Sequence, residues 1–324
     1  MYNYDTKYDL GPLCKLRDWI SIENIVWESL SSNHNAIHLL EQNSDKIDWF
    51  YLSKNPNAVH ILEHNQNKIN WIMLSENPNA IRLLEQNPDK IVWWALSENT
   101  NATHLLEQRL EKLDKNDWEW LSMNPNAIHL LEQNLVKIDW DCLSLNPNAI
   151  HLLEQNQNKI NWSGLSRNPN AIRLLEQNPD KIVWYSLSAN TNAIPILEQN
   201  MDKINWHNLS RNPNAIPILE QNMDKINWHN LSRNPNAIPI LEQNPEKIYW
   251  DLLSANPNAI HLLEQNQDNI HWECISANPS IFEYDYEAMR LRMQTLAEDL
   301  MADRFHPRNF EKWIGWGFDE HICD

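Results

Sequence analysis

The chain has 324 residues, and its 26 Lys and Arg against 44 Asp and Glu give a formal net charge of −18 at pH 7. An acidic chain of this kind repels phosphate, which argues against the binding of nucleic acid or of an anionic membrane surface. Only four glycines occur, so a Gly-rich phosphate-binding loop is excluded, and the four cysteines have no CxxC spacing.

Residues 1–26 predict an N-terminal cap on a repeat array. Leu16, Trp19, Ile20 and Ile25 lead into the first unit, and an array needs caps because its terminal units otherwise expose an apolar face. The N-terminus has neither a basic region nor an apolar run, and no stretch approaches eighteen apolar residues. We therefore expect no secretion signal and no transmembrane segment, and the scattered cysteines favour reduced thiols in a cytosolic setting.

Residues 27–277 consist of a 22-residue repeat, W-x-x-L-S-x-N-P-N-A-I-x-L-L-E-Q-N-x-x-K-I-x. Residues 192–213 are repeated letter for letter as residues 214–235. A repeat array tolerates such a duplication because each unit packs chiefly on its neighbours. We number the units 1 to 12 by their tryptophans, which are Trp27, Trp49, Trp71, Trp93, Trp118, Trp140, Trp162, Trp184, Trp206, Trp228, Trp250 and Trp272.

Each half of a unit predicts one short helix, as in residues 87–98 and 99–108. Asn is a favourable N-cap, Pro suits the first helical position, and A-I-x-L-L forms an amphipathic stripe. Pro217 indicates that Asn214 caps the second helix, since a start at Pro213 would place Pro217 in the helix interior. The Asn after L-L-E-Q is expected to end the helix in the left-handed conformation.

These features predict an all-α fold, an α-solenoid of 22-residue helical hairpins. The leucine-rich repeat is the alternative, because it has a similar period and also carries Asn. In this chain the position of its second strand Leu is variable, and Val and Thr, which strands favour, are sparse. We also expect the Asn-Pro-Asn turns to form hydrogen-bond ladders between units, and the Ser after the first Leu to be a structural hydroxyl.

One interval departs from the period. Trp93 and Trp118 are 25 residues apart, and the three extra residues lie in 109–117, where Arg109 replaces the expected Asn. This segment is a candidate hinge. At roughly 8–10 Å per unit, the spacing of packed helices, eleven intervals predict a curved rod about 100 Å long.

Residues 278–324 predict a C-terminal helical cap, with an amphipathic helix over 284–303 and a further helix over 306–318. The unit NPNAIHLLEQN…KIxWxxLS, followed by NPSIFEYDYEAM and HPRNFEKW, resembles a repeat family abundant in amoeba-infecting giant DNA viruses. The resemblance covers nearly the whole chain and implies a viral origin. It implies no known activity, because that family is largely uncharacterised.

The tryptophan column has two interpretations. Exposed indoles can stack on bases or sugars, but a Trp that recurs beside Ile and Leu in nearly every unit is typical of a core position. We interpret the column as a structural core ladder formed by Trp49, Trp71, Trp93, Trp140, Trp162, Trp184, Trp206, Trp228 and Trp250.

Three polar columns are interpreted as surface features. Histidines at the x of A-I-x-L-L are expected to form an exposed stripe, because units about 8–10 Å apart separate the imidazoles too far for a shared metal ion. The Glu of L-L-E-Q and the Lys before each Trp are expected to form surface ion pairs. Since near-identical sites cannot each be a unique active site, we expect no catalytic residue, no metal, no cofactor and no enzyme activity. The columns include His38, His60, His104, His129, His151 and His261, then Glu85, Glu132, Glu154 and Glu176, and Lys90, Lys137, Lys159 and Lys181.

Function is therefore assigned to the positions that vary, namely the two residues after each Trp and the x of L-S-x-N. A column that mixes Tyr, Trp, His and Met is typical of protein recognition, although the same residues could fill irregular packing between units. The predicted function is a non-enzymatic scaffold, monomeric or weakly self-associating, that binds host or viral proteins in the host cytoplasm or the virion. The alternatives are a self-associating structural virion component, and an enzyme or nucleic-acid binder with its site in residues 278–324. The predicted partner-binding residues are Tyr51, Met73, Trp94, Trp120, Tyr185, His207 and His229.

Overall fold

The computed structural model describes residues 14–304, without the side chains of residues 295, 296, 299, 303 and 304. The described chain forms two compact units, divided between Asp18 and Trp19 and again between Ile281 and Phe282. Short helices recur throughout the larger unit, and the strands of the described chain are two segments of three residues in the smaller one. The protein is therefore an all-α repeat solenoid, as the sequence predicts.

A typical unit contains three short elements rather than the two predicted. A first helix begins at or near the Trp, a second helix begins at the Ile of A-I-x-L-L, and a 3-10 turn precedes the next Trp. Residues 87–98 therefore do not form one helix. Pro88–Lys90 is a 3-10 turn, and the extended backbone of Ile91 (φ −63°, ψ 128°) separates it from the helix Trp93–Glu98. The bend is fixed because the Ile91 side chain is buried.

The element bounds follow the repeat. The first helices are Trp27–Ser31, Trp49–Lys54, Trp71–Glu76, Trp93–Glu98, Lys115–Met123, Trp140–Leu143, Trp162–Arg167, Trp184–Leu187, Trp206–Leu209, Trp228–Ser232, Trp250–Ser254 and Trp272–Ser276. The second helices are Ile37–Gln42, Val59–His64, Ile81–Glu85, Thr103–Glu107, Ile128–Glu132, Ile150–Gln155, Ile172–Glu176, Ile194–Glu198, Ile216–Glu220, Ile238–Glu242 and Ile260–Gln265. The 3-10 turns are Ile22–Asn24, Gln66–Lys68, Pro88–Lys90, Leu110–Lys112, Gln157–Lys159, Pro179–Lys181, Met201–Lys203, Pro213–Ala215, Met223–Lys225, Pro245–Lys247, Pro257–Ala259, Gln267–Asn269 and Pro279–Ile281.

The ends of the second helices differ from the prediction. Ala215, not Asn214, is the N-cap, and no side chain caps this helix. Asn214 instead donates its Nδ2 to the Thr191 carbonyl of the preceding unit. Pro217 lies in the first turn, where its missing N–H removes no helical hydrogen bond. Asn65 ends its helix at φ −130° and ψ 42°, outside the left-handed region, because its Nδ2 donates to the Ile61 carbonyl (2.9 Å) and satisfies a terminal acceptor directly.

The interior of each unit combines apolar and polar side chains. In unit 3, Leu74, Ala80 and Leu84 are fully buried, and equivalent residues recur around the array. A buried Leu contributes roughly 2–3 kcal/mol relative to an exposed one. Ser75 and Asn77 are buried with them. Buried polar groups require hydrogen-bond partners, and these two residue types find theirs in neighbouring units.

Two hydrogen-bond ladders join successive units. Ser53 Oγ donates to the Trp49 carbonyl of its own helix (2.6 Å) and accepts from the amide of Asn70 (3.0 Å), the residue that caps the first helix of the next unit. Asn55 Nδ2 donates to the carbonyls of Ser31 and Asn33 in the preceding unit, both at 3.1 Å. These contacts confirm that the Asn-Pro-Asn turns form ladders and that the Ser hydroxyl is structural.

The array closes on itself. Asn33 of unit 1 donates its Nδ2 to the carbonyls of Ser276 (3.1 Å) and Asn278 (3.0 Å) in unit 12, the same pattern that Asn55 makes to unit 1. The Val26 amide likewise donates to Ser276 Oγ (3.0 Å), and the first helices of units 1 and 12 pack together. The rod suggested by the sequence is therefore not formed. The larger compact unit is a ring of twelve repeats, and its ladder of hydrogen bonds has no free end.

The irregular segment 109–117 extends a helix without interrupting the ladder. The first helix of unit 5 begins early because Asp114 and Asp117 form a capping box, in which each side chain accepts from the other residue's amide. Asn124 still donates to the carbonyls of Ser97 (2.9 Å) and Asn99 (3.2 Å). The three extra residues are therefore accommodated as one added helical turn.

The smaller unit contains both ends of the described chain. Strand β1 (Cys14–Leu16) pairs antiparallel with strand β2 (Phe282–Tyr284), and Arg17 forms an ion pair with Glu283 (3.1 Å). A helix follows over Tyr286–Arg304, where the sequence predicts one. The helix predicted over 306–318 and the first thirteen residues of the predicted N-terminal cap lie outside the described residues. Between residues 14 and 304, no helix has both the length and the apolar character needed to span a membrane.

Candidate partner-binding face

The variable positions of each unit share one side of the first helix. At about 100° per residue, the positions one, two and five residues after the Trp fall within about 100° of one another, away from the buried Leu three residues after the Trp. We call these positions the variable face. Among the described elements, the closest packing between neighbouring units joins first helices. Because the spacing of units in a ring grows with radius, the first helices lie at the inner circumference, with the variable face toward the ring axis.

Units 2 and 3 begin an apolar stretch of this face. Phe50 is 46% exposed and Ile72 is 38% exposed, and Tyr51 is exposed beside them. Met73 is half-buried. The Phe50 and Tyr51 rings meet edge to face with centroids 5.2 Å apart. Large apolar side chains at consecutive positions on one surface are uncommon unless a partner covers them.

The other predicted residues fall into two groups. Trp94 and Trp120, in units 4 and 5, are half-buried with ring centroids 6.5 Å apart, and they continue the apolar stretch. Tyr185, which is 59% exposed, lies in unit 8, and the exposed His207 and His229 lie in units 9 and 10. The structure thus places four of the seven predicted residues in consecutive units and the other three in a different arc of the ring.

An acidic group accompanies the apolar stretch. Lys54 Nζ lies 2.6 Å from Glu76 Oε2 in the next unit, so this pair is neutral. Glu98, in the unit after that, has no ion-pair partner among the described residues. Partial desolvation and the nearby Glu76 carboxylate raise the pKa of Glu98, and Lys54 offsets part of that rise. The variable face of units 2 to 4 therefore carries one uncompensated carboxyl group.

Units 5 and 6 add further negative charge. Glu119 and Asp141 are exposed at the position after the Trp. Cys142 follows Asp141 and is half-buried, and its pKa is raised to about 12 by burial and by the carboxylates of Asp139, Glu119 and Asp141. This thiol is consequently protonated at neutral pH and is unsuited to act as a nucleophile.

Units 7 to 10 have the opposite charge. Their variable face holds Arg167, Arg211 and Arg233, all exposed, together with His207 and His229, and it holds no acidic residue. None of the three guanidinium groups has an ion-pair partner within the described chain. The variable face therefore has an apolar and acidic arc in units 2 to 6 and a basic arc in units 7 to 10. Units 11, 12 and 1 again carry exposed carboxylates, Asp251, Glu273 and Glu28.

The tryptophan column is partly exposed rather than enclosed in the core. Of the twelve tryptophans, Trp118 alone is buried, at 3% exposure. Ten of the twelve rings have a cation over one face, such as Lys159 Nζ at 4.4 Å from the Trp140 ring centroid. Over Trp93 the cation is Arg109, at 4.4 Å. The cations that cover the other rings are Lys46, Lys68, Lys90, Lys137, Lys181, Lys203, Lys225 and Lys247.

These contacts also change the interpretation of the Glu and Lys columns. The lysines lie over indoles, and the glutamates pair instead with the histidine of the next unit. His151 Nε2, for example, lies 2.7 Å from Glu132 Oε1, and His261 Nε2 lies 2.7 Å from Glu242 Oε1. The histidines do form an exposed stripe, and within residues 14–304 no group of His, Cys, Asp and Glu is arranged to hold a metal ion.

One exposed aromatic residue was missed at the sequence level. Tyr249 is exposed and meets His229 edge to face at 5.2 Å between ring centroids, although it precedes rather than follows its Trp. That position usually holds the Asp or Asn that caps the first helix, as Asp48 does for the Tyr51 amide. The replacement of a capping residue by Tyr was the feature of the sequence that could have identified this position.

Comparisons of the chain with protein-family models, with curated proteins and with solved structures give no match.

Proposed function

We propose that this protein is a non-enzymatic ring scaffold that binds a segment of another protein along its variable face. The observation that supports this proposal is the run of exposed or half-buried apolar side chains over units 2 to 5. Aromatic and Met side chains are enriched at protein interfaces and among the residues that dominate binding energy. From the resemblance of the repeat to giant-virus proteins, we propose that the protein acts in the infected host cytoplasm or in the viral particle.

The proposal is tested by photo-crosslinking with the full chain. A photoreactive amino acid replaces Phe50 in one variant and Val136 in another, because Val136 is 95% exposed in a turn away from the variable face. Crosslinked products from infected or host lysate are identified by mass spectrometry. The proposal expects a protein captured specifically from position 50. Equal capture from both positions would contradict it.

Binding to the captured protein is then measured with purified components. The double variant Trp94→Ala, Trp120→Ala is expected to weaken binding at least tenfold, since loss of one central aromatic residue commonly costs about 2 kcal/mol. The matched control is Leu135→Ala, Val136→Ala, which removes exposed apolar side chains from a turn. If both double variants bind alike, the variable face is not the interface.

A second candidate function is a structural component that self-associates. The helix Tyr286–Arg304 favours it, because Tyr286, Met293 and Leu300 are exposed on that helix. Light scattering over a range of protein concentrations separates the two functions. Mass that grows with concentration, and that falls when Met293 and Leu300 are replaced by Ser, supports self-association. A concentration-independent monomer supports the scaffold.

A further inference from the structure

The apolar arc of the variable face is bordered by charges of one sign. Glu98, Glu119 and Asp141 lie in units 4, 5 and 6 and are exposed to solvent. The basic group within this arc, Lys54, is already paired with Glu76. An occupant of the arc therefore meets apolar side chains and three carboxylates without a cation partner.

No ion pair within the described chain joins a cation to Glu98, Glu119 or Asp141. The lysines that recur once per unit are held over tryptophan rings, as Lys90 is over Trp71 (4.7 Å). The unpaired cations of the variable face, Arg167, Arg211 and Arg233, lie in units 7 to 10. The negative charge of units 4 to 6 is therefore left for a partner to neutralise.

The same distribution limits where a cationic occupant can lie. A segment that carries Lys or Arg is attracted by units 4 to 6 and repelled by units 7 to 10. Units 11, 12 and 1 also carry carboxylates, but their variable face lacks the exposed aromatic and aliphatic side chains of units 2 and 3. The arc from unit 2 to unit 6 is roughly 40 Å long at about 8–10 Å per unit. An extended segment of about twelve residues spans that length at roughly 3.3 Å per residue.

From these contacts we infer that the arc of units 2 to 6 binds a cationic, apolar protein segment, in which Lys or Arg alternates with aromatic or aliphatic residues. The aromatic and aliphatic residues contact Phe50, Ile72 and Trp94, and the cations pair with Glu98, Glu119 and Asp141. This inference rests on the proposed function and adds to it the chemistry of the partner. It also excludes an acidic segment from this arc.

The experiment compares three fluorescent twelve-residue peptides with full-length protein by fluorescence anisotropy. All three share the same Leu and Phe positions, and the remaining positions are Lys, Gln or Glu. The Lys peptide is expected to bind at least tenfold tighter than the Gln peptide, the Glu peptide more weakly than either, and added salt is expected to reduce the difference. Equal binding of the Lys and Gln peptides, or tighter binding of the Glu peptide, would overturn the inference.

A charge-neutralised variant locates the site. The triple variant Glu98→Gln, Glu119→Gln, Asp141→Asn is expected to weaken the Lys peptide about tenfold, since each exposed ion pair changes affinity by roughly two- to fivefold. The matched control Glu154→Gln, Glu176→Gln, Glu198→Gln removes the same charge from exposed positions on second helices. If the control weakens binding as much as the triple variant, net charge alone accounts for the effect and the inference is lost.

The two proposals fail in different ways. If Lys and Gln peptides bind equally and the Trp94→Ala, Trp120→Ala variant abolishes both, the ring still binds protein segments but without the charge preference. If no peptide binds, the inference fails, and photo-crosslinking at position 50 decides the proposed function independently.

Discussion

Closure of the ring can be tested at one buried side chain, Asn33 in unit 1. Its Nδ2 donates to the carbonyls of Ser276 and Asn278, and its Oδ1 accepts from the Asn35 amide (3.0 Å). A hydrogen bond of this kind contributes roughly 1 kcal/mol net to stability. Asn33→Ala removes three such bonds and leaves buried carbonyl groups unpaired. We therefore expect it to lower the free energy of unfolding by about 3 kcal/mol.

The matched control is Asn146→Ala, in the middle of the array. Asn146 makes the same three bonds, to Ser122, Asn124 and the Asn148 amide, each at 3.0 Å. In a closed ring the two substitutions are equivalent and lower stability equally. In an open rod, unit 1 has no preceding neighbour, so Asn33→Ala removes one local bond and costs about 1 kcal/mol.

The measurement is urea unfolding of both variants and the parent chain, followed by tryptophan fluorescence and by far-UV circular dichroism. Coincident transitions by the two probes justify a comparison of unfolding free energies. If Asn33→Ala is about 2 kcal/mol milder than Asn146→Ala, unit 12 does not support unit 1, and the closed ring is refuted.

Three further outcomes are expected. No cation of residues 14–304 lies over Trp250, and Asn269→Lys, which installs one, should raise the unfolding free energy by about 0.5–1 kcal/mol, as measured by urea unfolding. Cys142, with its pKa raised to about 12, should react with iodoacetamide at pH 8 roughly a thousandfold more slowly than an ordinary thiol, and urea should abolish the difference. Burial raises the pKa of Asp117 in the folded chain, so its negative charge opposes folding at pH 7. Asp117→Asn keeps the acceptor for the Asp114 amide and should stabilise the protein at pH 7, with a gain that shrinks as pH falls through the folded and then the unfolded pKa.

The local structure of the units was largely accessible from the sequence because it depends on neighbouring residues. The period, the second helix and the polar ladders all follow from residue types that recur every 22 positions. That the array closes into a ring could not be predicted from the sequence. Twelve units that close a circle turn by about 30° each, and that angle is set by small differences between the packing of first and second helices. No single residue type encodes such a difference, so a rod and a ring have the same repeat pattern.

The columns of the site illustrate the same limit. The sequence shows that Lys159 and Trp140 recur, but not that the ammonium group lies over the indole face, because 19 residues of chain separate them. The pairing of Glu132 with His151 depends likewise on how far one unit is rotated from the next. The variable face could be predicted because it needs only the helical angle. Its division into apolar, acidic and basic arcs follows the order of units along the chain, so the sequence already contains it.

The duplicated unit has a different consequence in a ring than in a rod. Deleting residues 214–235 leaves every junction with its original letters, since residues 192–213 are identical to them. The only change is the angle per unit, from about 30° to about 33°. Across the roughly 10 Å between the helix layers, that change alters the outer spacing of units by about 0.5 Å. The Asn ladder already spans donor distances of 2.8 to 3.3 Å, so we expect an eleven-unit ring to close. In that deletion variant Asn33→Ala should still cost about 3 kcal/mol. If Asn33→Ala costs only about 1 kcal/mol in the deletion variant, eleven units do not close. Twelve units are then the smallest number that this packing can close.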